Sequence, residues 1–304
     1  MYAFIVNPHA RTGLGLKVWE KLEVFLKKQN LKYEAYITRY PNHATEFARR
    51  LTEGPEKITL IALGGDGTIN EVVNGIQDFS KVTLGYIPIG SSNDFARSMN
   101  LSKEPETMLK QILSPSEYTY INIGRVTYGE HIRRFAVSSG FGFDADVCFH
   151  NTPTGIKKRL NKMKLGKLSY TGVALYLLMS LKPRRMTLIL DGKRKYFEKV
   201  FFVTAMNQRY EGGGFKFCPK ADPGDNLLDI IIIADMPKLK ALLLLPTAYK
   251  GWHTHFKGVH TFTCQKVQVK SETVLPVHTD GEPAARSSKV SFSLEAERLK
   301  FIRS

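Results

Sequence analysis

The stretch at residues 63–75, LGGDGTINEVVNG, constrains this chain more than any other. Upstream, KITLIALGG reads as a buried strand. Downstream, Ile69, Val72, Val73 and Ile76 fall at helical spacing, so Gly64, Gly65 and Gly67 lie where a strand becomes a helix. Such a junction presents unpaired amides and the positive end of a helix dipole, which suits phosphate. The glycines let backbone approach an anion, and Thr68 adds a hydroxyl at the helix start. Asp66 would repel a bare phosphate; it makes sense there with a divalent cation between the two. A plain turn without ligand is the alternative, and it leaves the three glycines and the acid without a purpose.

Around that junction the first part of the chain alternates. Strand-like runs at 2–6, 33–37, 58–63 and 82–87 are separated by helical patterns at 16–28, 43–51 and 68–76. This order implies right-handed crossovers and a parallel sheet covered on both faces. Ligands of such sheets bind beyond the carboxyl ends of the strands. The clusters NPHARTG, TRYPNHA, GGDGT and PIGSSNDFA all fall at those ends, so four loops converge on one edge. From about Tyr118 the texture changes to runs rich in Val, Ile, Phe and Tyr separated by turns, among them RRFAVSSGFGFDADV, KYFEKVFFVTAMN and NLLDIIIIAD. Spacing of this kind predicts an antiparallel sandwich or barrel. The expected division is an α/β domain over 1–120, with 296–304 returning to it, and a β-rich domain over 121–295.

A chain of 304 residues with 43% hydrophobic content can bury a large core. Its formal charge of +16 draws it toward anionic partners. Three widely spaced cysteines, Cys148, Cys218 and Cys264, argue against a disulfide framework and for a reducing compartment. The apolar run at 168–181 is 14 residues, short of the roughly 20 a bilayer requires. No nucleic-acid recognition motif accompanies the charge, and none is expected as a partner.

Taken in order, NPHARTGLG, GGDGTINEVVNG, PIGSSNDFARSM, GFGFDADV, EGGGFKFCPKADPGDNLLD and HTDGE resemble the diacylglycerol kinase catalytic-domain family, which also contains bacterial lipid kinases and sphingosine and ceramide kinases. The resemblance runs from Asn7 to Glu282. It implies a first domain like that of NAD kinases and phosphofructokinases, a second, β-sandwich domain that takes the lipid, and ATP with Mg²⁺ as cofactors. The implied reaction is transfer of the γ-phosphoryl to a lipid hydroxyl, diacylglycerol by default.

Under that resemblance, Asn7, Gly13 and Thr38 frame the nucleotide with Gly64, Gly65, Asp66, Gly67 and Thr68. Ser91, Ser92, Asn93 and Asp94 add contacts, with Ser91 where the family has Thr and Ser92 where it often has Gly; Asp94 can equally cap the following helix. Asp280 takes the general-base position, supported by Glu282, although DGEP is also an ordinary hairpin turn. Asp222, Asp225 and the carbonyl of Leu227 match a second, structural Mg²⁺ site, with Asn226 where the family has glycine. The expected location is the cytoplasm, at the inner membrane face. Basic residues of the 157–185 segment either dock on anionic lipid or form the wet face of a packed helix. A homodimer is left open. An NAD-kinase-like enzyme and a catalytically silent nucleotide- or membrane-binding protein are the competing readings. NAD kinases share GGDGT without the early NPHARTG or the SSNDFA segment. A silent protein would have no use for Asp66, Asp94, Asp280 and Glu282 together.

Overall fold

The computed structural model describes residues 2–150 and 181–303. The chain begins by alternating: β1 (Tyr2–Val6), α1 (Ala10–Lys28), β2 (Tyr33–Ile37), α2 (His43–Thr52), β3 (Ile58–Gly64), α3 (Asp66–Gly75) and β4 (Val82–Pro88). The four strands pair in parallel in the order β2-β1-β3-β4. Ala3 through Val6 and Leu60 through Leu63 are buried without a break, as strands covered on both faces must be. α1 buries Trp19, Leu22 and Leu26, and α3 buries Ile69, Val72 and Val73 against the same core. Arg11, Thr12 and Gly13 have φ of 48°, 59° and 89°, so the regular part of α1 starts only after this kink. That is why helical spacing is legible from Leu16 and not from Ala10.

Two short helices, α4 (Asp94–Ser98) and α5 (Pro105–Leu113), lead to β5 (Glu117–Ile121). The chain then builds β6 (Gly124–Tyr128), β7 (His131–Phe135), β8 (Ser138–Gly142), α6 (Phe143–His150), β9 (Arg184–Leu190), β10 (Lys193–Met206), β11 (Leu228–Ala234), α7 (Lys238–Ala248), β12 (Val259–Cys264), β13 (Lys266–Thr279) and β14 (Glu282–Leu294). These strands form one antiparallel sheet of nine. The long strands β10 and β13 flank β8 and β9, which follow one another in the lane between them. One apolar cluster joins Phe135 of β7 to Cys264 of β12, near opposite ends of the sheet, so the sheet folds over a common interior as a sandwich. Finally β15 (Leu299–Arg303) enters the first sheet between β4, which it parallels, and β5, which it opposes.

Among the described residues, two α-helices interrupt the β-rich half. The run RRFAVSSGFGFDADV reads as continuous strand, yet β8 stops at Gly142, whose φ of 114° turns the chain into α6. Leu242 through Leu245 become helical in α7. Among the described residues, no helix is long and apolar enough to cross a membrane. Residues 168–180 of the apolar 168–181 run and most of the basic 157–185 segment lie outside the described residues.

Polar bonds to α3 fasten the two halves together. Arg134 of β7 donates from Nη1 to the carbonyls of Val73 (3.1 Å) and Ile76 (2.6 Å), and from Nε to Glu295 (2.8 Å). A cation at a helix C-terminus satisfies carbonyls that have no partner inside the helix. Asn74 exchanges hydrogen bonds with the backbone of Arg134 at 3.0 and 2.9 Å. The helix that begins at the glycine junction is therefore held from its far end by the second domain.

Candidate active site

Gly65 is the N-cap of α3, with φ −99° and ψ −172°. A Cβ there would stand 3.2 Å from Cα of Gly90, so the loops after β3 and β4 touch through two glycines. Asn7, just after β1, donates from Nδ2 to Thr68 Oγ1 (3.1 Å) and accepts from the amide of His9 (3.0 Å). Thr38 follows β2, buried, its amide bonded to the carbonyl of Val6 (2.8 Å). Asn7, Thr38, Gly67, Thr68, Arg133 and Glu282 all line a polar cavity of about 510 Å³ at the carboxyl ends of the parallel strands. Gly13 lies in the kink of α1, and Gly64 and Asn93 sit behind the loops; none of the three lines this cavity or the larger one described below.

Acids gather beside the glycines. Asp66 accepts the amides of Asp94 (3.1 Å) and Phe95 (3.2 Å) and so caps α4. Burial and then the nearby Asp94 carboxylate push its pKa up to about 7. Asp94 accepts the amide of Gly213 (2.7 Å) through Oδ2, while its buried Oδ1 has no hydrogen-bond partner. Burial also raises the pKa of Asp94. Two raised carboxylates with a bare buried oxygen form a donor set suited to a hard divalent cation, which would neutralise their repulsion.

Asp280 has φ of 50° in the turn between β13 and β14. Its carboxylate accepts four hydrogen bonds: from the amides of Ala136 (2.8 Å), Val137 (2.8 Å) and Ser138 (2.9 Å), and from Asn70 Nδ2 (2.7 Å). A carboxylate has about four lone-pair sites, so this one is filled. Burial raises its pKa and these four bonds oppose the rise. To accept a substrate proton, Asp280 would have to surrender one of these bonds; as it stands it clamps the β7–β8 connection to α3. Glu282, two residues on, is exposed, and a Cβ on Gly67 would lie 3.1 Å from its Oε1.

Glu282 and Gly67 also line a second, larger cleft of about 990 Å³. Asp66, Ser91, Ser92, Asp94 and Asp280 stand at its polar end. Much of its remaining wall is apolar, with Phe143, Phe202, Phe217, Ile233, Met236 and Leu242 among the residues exposed to it. A polar chamber and an apolar one thus meet at Gly67 and Glu282.

A cluster without an assigned role in the sequence lies in the wall between these ends. His278 Nε2 is 3.3 Å from Asp144 Oδ2 and 3.1 Å from Glu211 Oε1, and Thr204 Oγ1 donates to the same Asp144 oxygen. The three ligand atoms lie within 4.8 Å of one another, close enough for a metal ion. The amide of Gly281, however, donates to His278 Nδ1 (3.2 Å), which leaves the neutral ring's proton on Nε2, facing the carboxylates. Hydrogen bonding rather than metal ligation therefore accounts for the group. Burial raises the pKa of Glu211, whose Oε2 has no hydrogen-bond partner. Asp144, Glu211 and His278 each sit inside a recognisable motif, but only pairing of β13 with β8 and the turn after β10 brings them together. Asn70 sits inside the GGDGTINEVVNG motif without a role assigned to it there, and Arg133 carries no sequence signal of a comparable kind.

Asp222, Asp225 and Leu227 lie elsewhere, on the loop before β11, and line neither cleft. Asp222 accepts the amide of Gly224 (2.9 Å) and Asp225 that of Leu227 (2.9 Å). Asn226 enters the left-handed region (φ 63°) and pairs with Asn122, tying the loop to the domain junction. Burial, and then Asp225 and Asp222, raise the pKa of Asp229 to about 6.

Known proteins share this fold and resemble the sequence. Residues 1–126 match the diacylglycerol kinase catalytic domain, and residues 141–302 match the YegS C-terminal NAD kinase beta sandwich-like domain. YtlR of Bacillus subtilis (strain 168) is 31% identical over 92% of both chains. The diacylglycerol kinase of the same strain is 28% identical over 91% of this chain and 88% of its own. The crystal structure of a diacylglycerol kinase from Bacillus anthracis str. Sterne superposes with a TM-score of 0.74 at 20% identity, covering 100% of this chain and 96% of that one. An NAD kinase from Archaeoglobus fulgidus in complex with ATP shares the fold at a TM-score of 0.55 and 14% identity, covering 99% of this chain and 93% of its own. With its glycine junction, its two-domain cleft and these matches, the chain belongs to the diacylglycerol kinase-like lipid kinase family and is a kinase.

Proposed function

We propose that this protein transfers the γ-phosphoryl of ATP, with Mg²⁺, to the hydroxyl of a lipid alcohol, with diacylglycerol the default acceptor and phosphatidic acid its product. One observation carries the reading: a polar chamber fit for phosphates and an apolar cleft fit for acyl chains share a wall at Gly67 and Glu282. An NAD-like acceptor would leave the aromatic and aliphatic wall unmatched. The same reading puts the protein in the cytoplasm at the inner membrane face.

Phosphoryl transfer depends on positioning and charge neutralisation more than on covalent chemistry by the protein. The α3 amides behind Gly65 and Gly67, with Asn7, Thr38 and Thr68, orient the polyphosphate. Asp66 and Asp94 would hold Mg²⁺, which supplies charge neutralisation at the transferring group. The lipid hydroxyl oxygen bonds to the γ-phosphorus as the bond from that phosphorus to the β-γ bridging oxygen breaks, ADP leaves, and the hydroxyl proton passes to a carboxylate. Glu282 has free lone pairs at the junction and serves as that base; Asp280 holds the turn that presents it.

The test separates these roles. Purified protein with labelled ATP, Mg²⁺ and a panel of lipid alcohols in mixed micelles should label one acceptor class. Glu282→Gln should lower kcat by about 10²-fold or more with the melting temperature unchanged. Asp280→Asn should lower both, because one acceptor becomes a donor among amides. An Asp280→Asn protein that melts normally and is dead, beside an active Glu282→Gln, would return the base to Asp280. Labelling of no lipid alcohol would end the lipid-kinase reading.

A further inference from the structure

Four consecutive leucines in a helix cannot all face inward, since successive side chains are about 100° apart. In α7 the cleft takes Leu242, Leu244 and Leu245, while Leu239 and Leu243 stand 64% and 67% exposed. The 3₁₀ turn that follows, Trp252–His255, continues this outer face: Tyr249 is 55%, Trp252 57% and Phe256 42% exposed. Patches of this density on a water-soluble surface mark contact sites. The charge within this stretch of chain has one sign. Residues 236–271 contain no Asp or Glu, and Lys238, Lys240, Lys250 and Lys257 are interleaved with the apolar side chains. Lys250 Nζ lies 4.8 Å from the Trp252 ring centroid, and Lys240 Nζ donates to the carbonyl of Lys257 (2.8 Å).

We propose that α7 and the turn after it form the face that this protein lays on an anionic lipid bilayer. Leu239, Leu243, Tyr249, Trp252 and Phe256 enter the headgroup boundary, and the lysines meet the lipid phosphates. Tryptophan, tyrosine and lysine together suit that boundary, where an apolar body and a polar tip are both satisfied. The inner side of the same helix lines the acceptor cleft, so a lipid leaving the bilayer crosses only one helix thickness to reach it. This assignment rests on the lipid-acceptor reading for its purpose, but its test does not. It also differs from docking through the basic 157–185 segment, since α7 lies in another part of the chain.

The chain's two tryptophans supply a reporter. Trp19 is buried in the first domain at 4% exposure, and Trp252 is exposed. Full-length protein is titrated with vesicles of phosphatidylcholine mixed with phosphatidylglycerol, and with phosphatidylcholine alone, each with and without dibrominated acyl chains. The expected result is a blue shift and bromine quenching with the anionic vesicles, weakening as salt rises and absent from Trp252→Phe, which still sediments with vesicles. Leu243→Asp and Leu239→Asp should lower vesicle partitioning at least tenfold while leaving phosphorylation of a short-chain, micelle-dispersed lipid alcohol unchanged. Absent quenching, or Leu243→Asp binding vesicles as tightly as the parent, overturns the proposal. So does a dimer in sedimentation velocity that Leu243→Asp dissociates without altering vesicle binding, which would assign the patch to a second copy. Should no lipid alcohol be phosphorylated while Trp252 is quenched, the kinase reading fails and the docking face stands.

Discussion

The two cavities that meet at Gly67 are built by opposite means. The polar chamber is made where short loops leave parallel strands, so its Gly67, Asn7, Thr38 and Thr68 lie within a few residues of elements that any crossover fold would place there. The apolar cleft draws Phe143, Phe202, Ile233 and Leu242 from four separate elements of the second domain and Phe217 from the loop before β11. Local backbone chemistry shapes the first, and long-range packing shapes the second. Substitutions should therefore act differently on the two sides, on charge and nucleotide use in one, and on acceptor fit in the other.

The largest effect belongs to the polar side. Asp66→Asn should reduce turnover by about 10³-fold or more, as expected when a group that holds the transferring phosphate's counter-ion is lost; kinetics against Mg²⁺ concentration check it. The same substitution should make the ligand-free protein more stable above pH 7. The sign follows from linkage: Asp66 is raised from 3.8 to about 7, so the folded protein holds that proton longer. Stability from this group is therefore full below about 4 and lost as pH rises through about 7, and Asn removes that loss. A parent and an Asp66→Asn protein with parallel melting profiles from pH 5 to 8 would break the comparison.

An intermediate effect tests the bond between the halves. Arg134→Ala leaves the carbonyls of Val73 and Ile76 without this donor and Glu295 with only the longer Arg125 contact (3.8 Å), and should cost about 2–3 kcal/mol by denaturant melting. Its activity should follow its stability. The smallest effect sharpens the apolar side: Leu242→Trp, which fills the cleft, should raise KM for a long-chain acceptor about tenfold with KM for ATP unchanged. Equal change in both constants would mean that the cavities do not divide the substrates.

Much of the first domain was legible before any coordinates. Period-3.6 and buried-run patterns locate most of β1 to β4 and α1 to α3 to within a few residues, because these elements, the edge strand β2 apart, are buried along a continuous stripe or face. Gly64 announces a close approach, since a Cβ there would collide with Thr68, and Gly65 lets the loop after β4 come near. The second domain resisted the same reading. Phe143–His150 has strand-like composition but follows a glycine that turns the chain, and its helical spacing is masked by Phe, Val and Cys on several faces. Of Asp280, sequence marks the motif alone; four hydrogen bonds from residues 70 and 136–138 decide that its oxygens are occupied.

By itself, the sequence determined where a strand turns into a helix at a glycine cluster and which acids stand beside it, because glycine spacing and helix starts are local properties of a few residues. Only the tertiary structure decided which carboxylates keep free lone pairs, which leucines of α7 face the cleft and which face outward, and that His278 presents a proton rather than a lone pair to Asp144 and Glu211. Each of those outcomes depends on partners brought from distant positions in the chain, and a carboxylate or imidazole has no fixed role until its hydrogen-bond partners are in place.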